Sequence, residues 1–183
     1  MRILIISSSR DEVNEKYLEL GNIVGNKLRD TDLELNFGAA STGIMGRYKN
    51  YFRTVNSYTV KKYVDDLKNI NSTKEYILDT TFDRTKNLFT DSDIILVLPG
   101  GTGTLAEIFG ILEENRSIDK PKPMYIYNYD HYYDDIINLI DICVKNKFND
   151  KSIYNYFYVS DNLDELIEKI KEHLLKWTPN SSQ

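Results

Sequence analysis

One cysteine in 183 residues leaves no partner for an intramolecular disulfide and no basis for a cysteine-rich metal centre. Cys143 sits in the apolar run Ile140-Asp141-Ile142-Cys143-Val144 and reads as core. The two histidines are as uninformative: His131 falls in a polar loop, His173 falls in an amphipathic terminal stretch, and neither has metal-ligand spacing. No metal site is expected. Four prolines and nine glycines mark turns without forming a linker, and no internal repeat divides the chain. One domain over residues 1–178 is expected, with Pro179 to Gln183 as a frayed tail. Long apolar runs are missing too. The opening stretch offers four apolar residues, Ile3 to Ile6, before Ser7, too few for a signal-peptide core or a membrane span. Cytoplasmic residence with no membrane partner is the expectation. The net charge of −5, from 23 basic and 28 acidic residues, has no basic patch and excludes nucleic acid as a partner.

What is present is an ordinary globular composition, 41% apolar and 28% charged. Short β-branched runs alternate with stretches of helical period, the pattern of parallel strands joined by helical crossovers. Strands are expected at Ile3 to Ile6, Leu33 to Phe37, near Tyr58 and Tyr76, and at Asp93 to Leu98, Met124 to Asn128 and Phe157 to Ser160. Helices are expected where Tyr17, Leu20, Val24 and Leu28 share a face, near Ile44, and over Phe82 to Thr90. Three more fall at Thr104 to Glu114, Tyr133 to Lys145 and Leu163 to Lys176. The fold class is therefore α/β: a single-domain, doubly wound, Rossmann-like and mainly parallel sheet with helices on both faces. Among 14 tyrosines, Tyr125, Tyr127, Tyr129, Tyr132 and Tyr133 crowd one region, where strand and surface packing explains them.

The segment Leu98-Pro99-Gly100-Gly101-Thr102-Gly103-Thr104 leaves a buried strand and enters a helix. Unobstructed backbone N–H groups converging at a positive helix end suit a phosphate. It is no Walker A loop, because no Gly-Lys-Ser/Thr follows to serve a β- or γ-phosphate. Gly101 to Ala106 does match the G-x-G-x-x-A dinucleotide pattern, but after a late strand instead of the first, so a single nucleotide fits better than a dinucleotide. Glu107 stands three residues beyond Thr104, in the expected first turn of the helix, where an acidic side chain is also a natural partner of the macrodipole.

Pro99-Gly100-Gly101-Thr102-Gly103-Thr104-Leu105-Ala106-Glu107 carries the P-G-G-x-G-T-x-x-E signature and resembles the LOG family, often labelled lysine decarboxylases. Arg84, in Asp83-Arg84-Thr85-Lys86, is similar to the family's upstream arginine. Gly43-Ile44-Met45-Gly46 resembles the end of its first glycine loop, Ser7-Ser8-Ser9 follows the first strand, and an Asp-x-Tyr-Tyr-Asp stretch follows at Asp130 to Asp134. The resemblance implies a phosphoribohydrolase that cleaves the N-glycosidic bond of a nucleoside 5′-monophosphate, such as a cytokinin riboside monophosphate or AMP. It implies Glu107 and Arg84 as catalytic residues, and Gly100, Gly101, Thr102, Gly103, Thr104, Ser8, Gly43 and Met45 as substrate and phosphate contacts. No cofactor is implied, and no lysine context supports the pyridoxal phosphate that the decarboxylase label would need.

In such a site Glu107 stabilises an oxocarbenium-like sugar and takes a proton from the attacking water, while Arg84 positions phosphate, ribose or the carboxylate. A water, Asp83 or the purine ring itself is left to supply the leaving base with its proton. Three departures from the family pattern stand out: Ala39 and Ala40 in place of two glycines, Thr85 in place of a lysine, and no Gly-Ile-x-Pro segment between the loops. A non-catalytic nucleotide-binding or molybdenum-cofactor-carrier-like protein is the competing reading. The resemblance also implies a homodimer, with Ile44 to Val55 and Thr104 to Leu112 as its contact helices.

Overall fold

The computed structural model describes residues 1–176; the expected tail from Pro179 lies outside them. Seven strands form one sheet, and every pair in it is parallel. They are β1 (Arg2–Ile6), β2 (Glu34–Phe37), β3 (Val55–Val60), β4 (Lys74–Leu78), β5 (Ile94–Val97), β6 (Met124–Tyr127) and β7 (Tyr158–Ser160). The helices are α1 (Glu15–Leu28), α2 (Gly43–Tyr48), α3 (Thr81–Thr90), α4 (Thr102–Ser117), α5 (Asp134–Lys145) and α6 (Leu163–Lys176). The strand order β4-β3-β2-β1-β5-β6-β7 means that the chain starts in the middle, winds outward, and returns beside β1 to wind the other way. The reversal between β1 and β5 opens a crevice at the strands' carboxyl ends, where ligands of doubly wound sheets bind.

Alternation along the central strands feeds two apolar layers. Ile3 and Ile5 of β1 pack with α1, α2 and α6, while Leu4 and Ile6 pack with α3, α4 and α5. Helices on both faces follow directly. Gly21 and Gly25 of α1 let α2 and its trailing turn come close. A Cβ at Gly21 would meet the Ile44 carbonyl at 2.6 Å, and one at Gly25 would strike the Tyr51 ring. Tyr48 of α2 reaches through this layer and donates to the Ile5 carbonyl at 2.9 Å.

Some boundaries differ from expectation. The stretch from Ile44 to Val55 is a short helix, a 3-10 turn at Lys49–Tyr51, and the start of β3. Its apolar side chains Ile44, Met45 and Tyr48 are buried within the fold, so they are not free to meet a second subunit. Residues Lys61–Asn69 form 3-10 turns with a kink at Tyr63. Cys143 is half-buried instead of core. No helix among the described residues is long and apolar enough to cross a membrane.

Candidate active site

The chain leaves β5 through Leu98 and Pro99, and α4 then begins at Thr102 with Gly101 as its N-cap and no side chain capping it. The first amides of a helix have no intrahelical partner, so this end offers free donors and the positive end of the dipole. Gly101 and Gly103 are exposed, and a Cβ on either would meet no protein atom within 4 Å. Nothing in the protein requires glycine at these two positions; a ligand approaching the backbone would. Gly100 is different, because a Cβ there would run into the Thr104 side chain. Behind the loop, Ser8 N–H donates to the Pro99 carbonyl at 3.2 Å, while the Tyr133 and Tyr132 hydroxyls donate to the carbonyls of Leu98 and Gly100, each at 2.8 Å. Burial pushes the Tyr133 phenol well up, so it remains a donor.

Because α4 starts two residues earlier than Thr104, Glu107 lies beyond the first turn, and no acidic residue occupies that turn. A generic macrodipole partner is thereby ruled out as the reason for Glu107. It is 7% exposed, and its Oε1 accepts from Arg84 Nη2 at 3.1 Å. Burial holds the Glu107 carboxyl above the usual carboxylate range, with Arg84 pulling it back by charge and hydrogen bond. Arg84 projects from α3, whose N-cap Thr80 accepts from the Asp83 amide. Its side chain is 19% exposed, and its buried Nε has no partner. A buried guanidinium N–H left unpaired beside an open cleft is a donor available to a ligand.

One cleft of about 580 Å³ takes in Arg84, Glu107, Gly101, Thr102, Gly103, Thr104, Ser8 and Met45. Of the expected site residues, Gly100 lies beneath the loop and Gly43 lies outside the cleft wall. Gly43 adopts φ +65, packs against the Ser8–Ser9 backbone, and gives its N–H to Asp11 Oδ1 at 2.7 Å. Asp83 is tied to Thr80 and does not line the cleft. The wall also includes Ser7 and Ala39, whose segments the sequence marked without assigning them a contact, and Tyr63, Asp66 and Thr81, which it did not mark. Ser7, at 3% exposure, has a buried hydroxyl without a partner; its place at the end of β1, beside the phosphate loop, was the available signal. Tyr63 and Asp66 come from 3-10 turns that have no sequence period to announce them.

An all-parallel, doubly wound sheet with an uncapped, glycine-bearing helix start and a buried Arg-Glu pair in the cleft at its reversal point defines a doubly wound α/β protein. The chain belongs to the family described as possible lysine decarboxylase, whose profile matches residues 34–170. It is 25% identical over 154 residues to a probable cytokinin riboside 5′-monophosphate phosphoribohydrolase of Oryza sativa subsp. japonica, covering 81% of this chain and 67% of that one. It is 23% identical over 177 residues to a cytokinin riboside 5′-monophosphate phosphoribohydrolase of Arabidopsis thaliana, covering 94% and 82%. In fold it is similar to the molybdenum cofactor carrier protein of Chlamydomonas reinhardtii, with a TM-score of 0.69 at 15% identity, covering 96% of this chain and 98% of that one.

Proposed function

We propose that the protein is a nucleoside 5′-monophosphate phosphoribohydrolase, acting on a cytokinin riboside monophosphate or an AMP-like substrate to give free base and ribose 5-phosphate. The observation that carries this reading is the buried Arg84–Glu107 pair, set in the same cleft as the open amides of α4. The curated relatives named above support the same reaction. The loop amides hold the 5′-phosphate, which does not react, so its binding energy aligns the sugar for attack. A water oxygen forms the new bond to C1′ as the bond from C1′ to the base nitrogen breaks and its electron pair leaves with the base. The Glu107 carboxylate stabilises the cationic sugar and takes one proton from the water, and the departing nitrogen takes up one proton in exchange. The unpartnered Nε of Arg84 supplies a further donor to the substrate.

The likeness in fold to the carrier protein favours a second reading, binding without turnover. Incubating the protein with AMP, CMP and an N6-substituted adenosine monophosphate, and reading released base by chromatography, separates the two. Base release supports the hydrolase. Calorimetric binding without release from any of them supports the carrier. We further propose a homodimer in which the exposed Phe82 of α3 (87%) and Phe109 of α4 (40%) are covered. Light scattering at a monomer mass would contradict it.

A further inference from the structure

We infer that Tyr132 is a positioning residue for the anion loop: its hydroxyl holds the Gly100–Gly101 peptide in the orientation that turns the Gly101 N–H away from the protein and toward the ligand. This rests on the reading of the loop as a phosphate site. In a trans peptide the carbonyl and the following N–H point in opposite directions, and the described chain has no cis peptide. Whatever holds the Gly100 carbonyl therefore sets the Gly101 amide. That carbonyl accepts from Tyr132 at 2.8 Å. The Pro99 carbonyl is already fixed by the Ser8 main chain, and Leu98 precedes a proline that has no N–H to aim.

The Gly100–Gly101 peptide is the one in this loop with glycine on both sides, so a flip meets no Cβ at either end. Flipped, it would present a carbonyl oxygen to an anion and withdraw a donor. The Asp-x-Tyr-Tyr-Asp stretch supplies the restraint. Asp130 and His131 both take left-handed conformations, φ 53 and 58, in the turn that delivers Tyr132. Such conformations persist only where their surroundings fix them. Here Asp130 pairs with Lys16, the Tyr17 ring stands edge-on to Tyr132 at 5.7 Å, and Asn128 Oδ1 accepts from the Tyr133 amide at 2.7 Å.

The test is titration of ¹⁵N-labelled protein with inorganic phosphate, following the Gly101, Thr102 and Gly103 amides in wild type, Tyr132→Phe and Tyr133→Phe. Tyr132→Phe keeps the ring and loses only the hydroxyl. The expected result is a Gly101 amide already displaced without ligand and phosphate affinity lower by about 3- to 10-fold, the size of one neutral hydrogen bond, at an unchanged melting temperature. Tyr133→Phe, which frees the Leu98 carbonyl and loses a weaker contact with the Gly100 backbone, should displace the Gly101 amide less than Tyr132→Phe does. Equal phosphate affinity and equal Gly101 shifts in wild type and Tyr132→Phe would overturn the inference. A wild type whose loop amides ignore phosphate would overturn it together with the phosphate loop. Turnover does not enter this readout, so failure of the hydrolase reading shows separately, as phosphate binding without base release.

Discussion

At the residue scale, the charge state of Glu107 would govern the proposed hydrolysis, because only the carboxylate can take a proton from water. Its pKa is raised above the ordinary 4.5 by burial, with Arg84 opposing. Activity should therefore fall as pH drops through a value above 4.5. Removing the opposing cation in Arg84→Gln should move the titration further up, read as the carboxyl ¹³C shift of Glu107. A titration at or below the ordinary value in wild type would contradict this. Ala39 is a second residue-scale case. It stands where the family pattern has glycine, and it adopts φ 54, a conformation that crowds a Cβ. Ala39→Gly should therefore raise stability by about 0.5 to 1 kcal/mol, the relieved strain less the added freedom of the unfolded chain, measured by urea unfolding. Ala40 needs no such relief, since its φ is not among the positive ones.

At the scale of elements, the two glycine loops do different work, and substitution should separate them. Gly43→Ala would place a Cβ 2.5 Å from the Ser9 backbone at a positive φ. A loss of about 2 to 4 kcal/mol in stability is expected. Gly101→Ala meets no protein atom, so it should melt like wild type and bind phosphate more weakly. Equal melting of the two variants would contradict the division. Asn115, fully buried near the end of α4, donates to the Lys122 carbonyl at 2.8 Å and accepts from the Lys122 amide at 2.9 Å. Asn115→Ala should cost about 2 kcal/mol by leaving both groups unpaired, measured by thermal unfolding.

Which elements could be read from the sequence follows from how each is stabilised. β1, β5 and α4 were legible because an apolar run, a glycine turn and a helical period each have a sequence signature. β3 was not. All six of its residues are buried, yet Asn56, Ser57 and Thr59 are polar. They are accommodated by neighbours far along the chain: Asn56 donates to Asn36 at 2.9 Å, and Ser57 meets the Ser72 hydroxyl at 2.7 Å. A strand whose burial depends on polar partners leaves no apolar alternation to mark its ends. The start of α4 at Thr102 is not legible because Thr-Gly-Thr has loop chemistry, and the sequence therefore does not show that Glu107 lies beyond the first turn.

At the scale of the whole molecule, the site exists only where α3, the β1 end and the α4 start meet over the sheet's reversal point. The Arg84–Glu107 pair spans 23 residues of sequence. The motif spacing pointed to that pair. The contributions of Tyr63 and Asp66 depended on the winding of the sheet and could not be read locally. Because the cleft forms only on folding, a bound nucleoside monophosphate should raise the melting temperature in proportion to its affinity. If Glu107 performs chemistry at a site whose phosphate the α4 loop holds, AMP binding and adenine release compared in wild type and Glu107→Gln will separate the two roles. The variant should keep AMP affinity by calorimetry and lose turnover by a factor of at least about 100. Adenine release at the wild-type rate from Glu107→Gln would contradict a chemical role for Glu107.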